Sequence, residues 1–214
     1  MNGAARDREQ NVLVRDLGLT DYEPVWRDMQ TFTDARDATT ADEIWFTEHG
    51  RVFTLGVNAA REHLLAPGSI PVVQVDRGGQ VTYHGPGQLM IYPLIDIRRA
   101  GLGVRELVTA LEQSVVDLAA EFGIEAASRC DAPGVYVAGA KLASVGLRIR
   151  RGSSFHGMAL NVDLDLEPFS RINPCGYADL EVTNFARLGV DLSVAGIRDR
   201  LLPQLLRHLR FSVG

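Results

Sequence analysis

Ala138-Gly139-Ala140-Lys141-Leu142-Ala143-Ser144-Val145-Gly146-Leu147-Arg148-Ile149-Arg150 reads as a β-strand. Side chains on a strand alternate between faces. One face carries Lys141, Ala143, Val145, Leu147 and Ile149. The other carries Leu142, Ser144, Gly146, Arg148 and Arg150. The two arginines mark the wet face, which assigns Lys141 to the apolar one. An ammonium is almost never fully buried without a partner. Either a bulge turns Lys141 outward, or an anion lies opposite it. Asn173-Pro174-Cys175-Gly176-Tyr177 offers a candidate for that anion.

Short strand patterns flank this stretch at 124–127, 134–137 and 155–162. Earlier ones fall at 12–16, 43–47, 52–55, 71–76 and 89–97, and His49-Gly50 is a hairpin candidate between the strands at 43–47 and 52–55. Helical spacing predicts three helices. The first follows Asp21, a candidate N-cap, to about residue 38. The second spans 104–122, with Leu107, Leu111, Val115 and Leu118 as its apolar stripe and Gly123 to stop it. The third spans 194–209. Strands in runs with few helices between them indicate an α+β fold with a mixed or antiparallel sheet. The strict strand–helix alternation of a doubly wound fold is absent. The expected organisation is a flexible segment at 1–10 followed by one catalytic domain at 11–214.

The 214 residues are 46% hydrophobic and 23% charged, enough apolar material for a sizeable core. The net charge of −5 argues against nucleic acid as the main partner, although Arg148-Ile149-Arg150-Arg151 is a local basic patch. Two cysteines, Cys130 and Cys175, do not make a disulfide framework. The polar N-terminus has no secretory h-region, and no run reaches the roughly 18 apolar residues of a membrane span. A cytoplasmic protein with reduced thiols, without a membrane partner and monomeric, is the expectation.

Three segments carry candidate chemistry. The first is Arg77-Gly78-Gly79-Gln80-Val81-Thr82-Tyr83-His84-Gly85-Pro86-Gly87-Gln88, in which five residues are Gly or Pro. Glycine permits close backbone approach, so N–H groups can point at a ligand oxygen. A structural hairpin with a tight Gly-Pro-Gly turn fits the same composition. The segment lacks the lysine and hydroxyl of a Walker A loop and any GxGxxG, so it does not indicate a nucleotide phosphate site. The second is Lys141, and the third is Cys175, which sits between Pro174 and Gly176 on a turn. A free thiol has a pKa of about 8.5. An ammonium at about 4 Å, at an effective dielectric near 20, is worth roughly 4 kcal/mol. At 1.36 kcal/mol per unit it lowers a thiol pKa by up to about 3 units. Paired, Lys141 and Cys175 would make an activated nucleophile for acyl transfer, and each charge would answer the other's burial. His49, His63 and His208 read as surface residues; His84 and His156, beside glycines, are the better site candidates. No H-x-x-x-H, C-x-x-C or clustered acidic triad suggests a metal.

Taken together, the glycine-rich segment, Lys141-Leu142-Ala143-Ser144-Val145-Gly146, Phe155-His156-Gly157-Met158-Ala159-Leu160-Asn161 and Asn173-Pro174-Cys175-Gly176-Tyr177 resemble the signatures of the octanoyltransferases of lipoate biosynthesis. The match runs in order from about residue 12 to 190. The resemblance implies a fold like the catalytic domains of biotin protein ligases and lipoate ligases, and no cofactor. It implies octanoyl–acyl carrier protein as donor. The implied acceptor is a lysine on the lipoyl domains of 2-oxoacid dehydrogenase complexes or on the glycine-cleavage H protein. It implies Cys175 as nucleophile, Lys141 as the group that lowers its pKa, and acyl-binding walls from Arg77 to His84, Ser144 to Gly146 and Gly157 to Ala159. Backbone N–H groups near Gly78, Gly79 or Gly176 are candidate oxyanion donors.

Three other readings stay open at this point. An ATP-dependent lipoate ligase would be expected to show an Arg-Arg-x-x-Gly-Gly-Gly type segment, where this chain has one arginine and two glycines. A non-catalytic acyl-binding protein would have no use for a Lys–Cys pair. A Cys–His thioesterase would use His84 or His156 as base.

Overall fold

The computed structural model describes residues 10–129, 131–174 and 180–214. Cys130, the stretch that carries Cys175, and the 1–10 segment apart from Gln10 lie outside the described residues. In chain order the strands are β1 (Gln10–Thr20), β2 (Asp42–His49), β3 (Val52–Leu55), β4 (Val72–Gln74), β5 (Val81–His84), β6 (Gln88–Leu94), β7 (Ala127–Ser128), β8 (Gly134–Val137), β9 (Ala140–Arg150), β10 (Ser153–Asn161) and β11 (Phe211–Val213). The helices are α1 (Tyr22–Ala35), α2 (Val104–Glu121) and α3 (Val194–Leu209). Eight strands form one sheet in the order β11-β1-β2-β6-β10-β9-β8-β7. The β11–β1 and β1–β2 pairs are parallel and the others antiparallel. A second sheet, β4-β3-β5, stands beside it. This is the mixed α+β architecture that the strand runs predict.

The helices sort by their apolar stripes. Leu107, Leu111, Val115 and Leu118 of α2 are fully buried and meet Ile197, Leu201 and Leu205 of α3 in the main core. Glu106 Oε2 accepts from Gly103 N at 2.6 Å at the start of α2, and Gly123 ends it at φ +71°. Ser193 Oγ accepts from Gly196 N at 3.2 Å and caps α3. α1 lies on the opposite sheet face, where Val25 and Met29 pack on Trp45, Tyr92 and Phe155. Asp21 precedes α1 but makes no side-chain cap bond, and the helix stops at Ala35 rather than near 38.

Three local expectations are corrected. β2 and β3 are not a hairpin: Gly50 N bonds Thr20 O at 3.1 Å, and the turn there carries the chain out of the large sheet into the small one. The glycine-rich segment hides β5, which pairs antiparallel with β3. The third concerns Lys141. Val135 pairs with Ala143 but Tyr136 pairs with Lys141, so Leu142 is an extra residue in β9. A bulge shifts the alternation. Leu142 and Ala143 both enter the core under α2, and Lys141 moves to the face of Ser144 and Gly146. The apolar-face assignment of Lys141 is therefore wrong, and the bulge that would turn it away is present. It turns Lys141 into a cleft and not into bulk water: only 4% of the residue is exposed.

β10 is buried along its whole length, and Gly157 sits where it crosses β6. A Cβ there would lie 1.9 Å from Ile91 O. Gly157→Ala is expected to lower unfolding free energy by at least about 1–3 kcal/mol, the usual cost of overpacking, as read by urea denaturation. A change under about 0.5 kcal/mol would contradict this packing.

Candidate active site

A cleft runs between the small sheet and the α1-side face of the large one. Its atom-free space, mouth included, is about 730 Å³. Met90, Tyr92, Met158 and Ala159 contribute to its floor, and the loop after Arg77 is its roof. The roof is fixed by polar bonds. Gly78 N donates to Leu147 O at 3.0 Å. A Cβ on Gly146 would come within 3.1 Å of Gly78 O and 3.2 Å of Arg77 Cδ, so the strand there must be bare. Arg77 is buried and donates to Thr54 O at 2.7 Å, Thr54 Oγ1 at 2.8 Å, Gly78 O at 3.0 Å and Gln80 O at 2.9 Å. It moulds the loop from within. Gly78 N is committed to Leu147 and is not the oxyanion donor that composition suggests.

Lys141 stands in the wall. Its Nζ donates to Pro133 O at 3.3 Å and lies 5.1 Å from the Tyr136 ring centroid. Its backbone is tied to the segment at 181–183: Lys141 N donates to Glu181 O at 2.8 Å, and Thr183 N to Lys141 O at 2.9 Å. Pro174, on the other side of the undescribed stretch, also lines the cleft. The expected contact between Lys141 and Cys175 lies outside the described residues.

Of the glycine-rich segment, Arg77, Gly78, Gly79, Gln80, Val81, Thr82 and His84 line the cleft. Tyr83 does not; it packs with Phe53 and Leu55 in a satellite core, and its hydroxyl accepts from Arg51 Nε at 3.2 Å. Ser144, Val145, Gly146, Gly157, Met158 and Ala159 line it as well.

Composition did not pick out Tyr22, Thr54, Asp76, Tyr92 or the pair Gln88 and Asn161. The signal for that pair was there: each is a polar residue at the end of an apolar strand. Gln88 Nε2 donates to Asn161 Oδ1 at 2.8 Å and to Tyr83 O at 3.3 Å. Its Oε1 is left to accept from His84 Nδ1 at 2.8 Å. His84 Nε2 then accepts from Thr54 Oγ1 at 3.1 Å. Burial and the nearby Arg77 charge push His84 well below its ordinary pKa, so it is neutral. Asn161 Nδ2 donates to Thr183 O at 2.9 Å, which carries the chain of bonds to the Lys141 strand.

A second cluster closes the cleft on the α1 side. His156 adopts φ +56°, a rare left-handed backbone for a non-glycine. This turns it toward α1, where Nε2 donates to Asp76 Oδ1 at 2.9 Å; Trp26 Nε1 donates to the same oxygen at 2.9 Å. Burial raises the Asp76 pKa, but these two hydrogen bonds outweigh it and hold the carboxyl well below its usual range. Burial depresses His156 despite Asp76. His49, expected at the surface beside a turn, is 1% exposed. Its Nδ1 donates to Thr20 O at 3.2 Å and its Nε2 accepts from Tyr92 OH at 2.8 Å. His63 is half-buried. His208, also expected to be solvated, is half-buried against Asp117 at 2.6 Å. Among the described residues no three His, Cys, Asp or Glu side chains converge as a metal site, and no helix is long and apolar enough to cross a membrane.

Residues 21–206 match the lipoyl protein ligase A/B catalytic domain family. Over 212 residues the chain is 59% identical to a protein named octanoyltransferase from Hahella chejuensis, covering 99% of this chain and 95% of that one. The chain belongs to the octanoyltransferase family. As an octanoyltransferase-family member it is an acyltransferase. In structure it is similar to a bi-partite lipoate protein ligase from Thermoplasma acidophilum, with TM-score 0.72 and 16% identity over 96% of this chain and 86% of that one. It is also similar to a biotin protein ligase from Aquifex aeolicus, with TM-score 0.54 and 13% identity over 94% and 69%. At these identities the likeness concerns the fold, which is the one that the sequence motifs imply.

Neutral buried histidines give this octanoyltransferase-family fold a pH dependence. Burial lowers the His49 pKa from 6.5 to about 4, with the Thr20 hydrogen bond and Asp21 opposing. The unfolded chain therefore binds more protons than the folded one between pH 6.5 and 4. Stability falls as pH drops through that window, by about 3 kcal/mol for His49 alone. Denaturant midpoints measured from pH 7 to 5 should decrease, and His49→Gln should flatten the slope by up to about 1.4 kcal/mol per pH unit. A wild-type midpoint independent of pH over that range would refute the assignment.

Proposed function

We propose that the protein transfers an octanoyl group from octanoyl–acyl carrier protein to a lysine of a lipoyl domain or of the glycine-cleavage H protein, through a thioester on Cys175. The observation that carries the reading is the burial of Lys141 in the wall of a cleft that is also lined by Pro174, the residue that precedes Cys175 in the chain. A thiolate is the reactive form of a cysteine, and a nearby ammonium favours it. The curated relative's name supplies the acyl group.

The steps balance. Cys175 gives its proton to Lys141. The thiolate attacks the donor carbonyl, the new C–S bond forms, and the pantetheine C–S bond breaks. Lys141 returns the proton to the departing thiolate. The neutral acceptor amine then attacks the acyl-enzyme, the C–N bond forms and Cys175 leaves as thiolate. Lys141 takes the amine proton, which restores the starting pair. One thioester is exchanged for another, so the first half-reaction needs no ATP. Burying an eight-carbon chain against Met90, Met158 and Ala159 contributes roughly 5–6 kcal/mol at about 0.8 per methylene. One methylene more or less is worth only about 1–3 kcal/mol, so length selectivity is graded.

Intact mass after mixing with octanoyl–acyl carrier protein, without ATP, tests the reading. Wild type should carry a thioester-labile octanoyl adduct, and Cys175→Ala none. Lys141→Met should slow adduct formation by about 10²-fold or more, the usual share of general acid–base catalysis. No adduct without ATP, and an octanoyl-adenylate when ATP is added, would move the assignment to a ligase.

A further inference from the structure

Glu112 is a carboxylate on the buried face of α2, between Leu111 and Gln113, and only 7% of it is exposed. An α2 built to pack on the core has no structural need of a charge there, and burying one is costly unless it is met. Its Oε1 accepts from Gly134 N at 2.7 Å. That N–H belongs to the Pro133–Gly134 peptide, whose carbonyl accepts from Lys141 Nζ at 3.3 Å. The peptide is trans, so its N–H and C=O point opposite ways, one to the carboxylate and one to the ammonium. Gly134 has φ +142°, and a Cβ on it would lie 2.4 Å from Ala143 O and 3.3 Å from Lys141 Cε. Only glycine allows this approach. The carboxylate, the peptide dipole and the ammonium are aligned in one series, in which each bond polarises the next.

We propose that Glu112 is a positioning residue for Lys141: through the Pro133–Gly134 peptide it aims the ammonium into the cleft and stabilises its charge. The inference rests on the Lys141–Cys175 reading above and extends it to a third group, one that is not among the residues lining the cleft. Among the described residues, the other titratable groups around the pair have partners of their own. Tyr136 of β8 donates its hydroxyl to Ala132 O at 2.8 Å and offers Lys141 its ring. Arg129 lies over the same ring and pairs with Asp131 at 2.6 Å. Glu181 gives Lys141 a backbone carbonyl, and its own residue is exposed.

Glu112→Gln keeps an oxygen for Gly134 N and removes the charge. The test follows the rate of octanoyl adduct formation from octanoyl–acyl carrier protein across pH by intact mass. In wild type the rising limb reports the thiol and the falling limb the Lys141 ammonium. In Glu112→Gln the falling limb should move down by about one to two pH units, with the rising limb unmoved or slightly lower. Superimposable profiles would overturn the proposal. So would a rising limb shifted up with the falling limb unmoved, because that is what a merely loosened Lys141 would give. A stability cycle of Glu112→Gln, Lys141→Met and the double variant, by urea denaturation, gives an independent readout. The double variant should lose less than the sum of the single losses, and simple additivity would overturn the proposal. Absence of any wild-type adduct would instead count against acyl transfer, while the cycle would still decide the Glu112–Lys141 coupling.

Discussion

A cation taken out of water must be met by oxygen atoms or π faces, and this cleft is built around two such cations. Arg77 gathers carbonyls from Thr54, Gly78 and Gln80. Lys141 has Pro133 O and the Tyr136 ring. Among the described residues, many of these partners are backbone carbonyls. Meeting the charge therefore dictates the path of the chain: the roof takes its curve from Arg77, and the loop before β8 takes its orientation beside Lys141. Removing either side chain would leave oriented carbonyls facing nothing, which costs more than the bond itself is worth.

Between the two cations the polar groups are kept neutral. Thr54, His84, Gln88, Asn161 and Thr183 are linked in a relay of hydrogen bonds with one consistent set of donors and acceptors. The relay joins the small sheet to β6, β10 and the segment beside Lys141. The floor presents methionine, alanine and hydrogen-bonded amides, and the Lys141 ammonium stands in the wall. The Asp76 carboxylate is held apart by Trp26 and His156. The cleft thus sets a neutral floor between two cations that line it, Arg77 and Lys141.

Much of this was legible in the residue pattern. The stripes of α2 and α3 appear at their helical spacing because one face of each is largely apolar and buried. The strand that holds Lys141 was legible from its period of two. What escaped has physical causes. A bulge at Leu142 leaves no local mark, because register is settled by the partner strand. β5 was hidden inside the glycine-rich segment, whose Gly78, ahead of the strand, serves close approach to β9 and not flexibility. β2 and β3 looked like a hairpin because a turn signal says where the chain bends and not which sheet it enters. His49 was misread for the same reason: a turn lies beside it, yet its ring is packed between Tyr22 and Tyr92.

The edge of the large sheet has a consequence for how the chain acquires its structure. β1 pairs with β11 in parallel, joining Gln10 to Phe211 and Val12 to Val213. Nearly the whole described chain separates these partners, so the loop they close is as long as this fold permits. On a ribosome making roughly 5–20 residues per second, β1 waits on the order of ten seconds or more for that neighbour. During that interval the 10–12 end of β1 has unpaired N–H and C=O groups on the side that β11 will take. An open strand edge of this kind is a template for a second chain. Nascent chains of this fold are thus most vulnerable to intermolecular pairing at the strand that is synthesised first and sealed last.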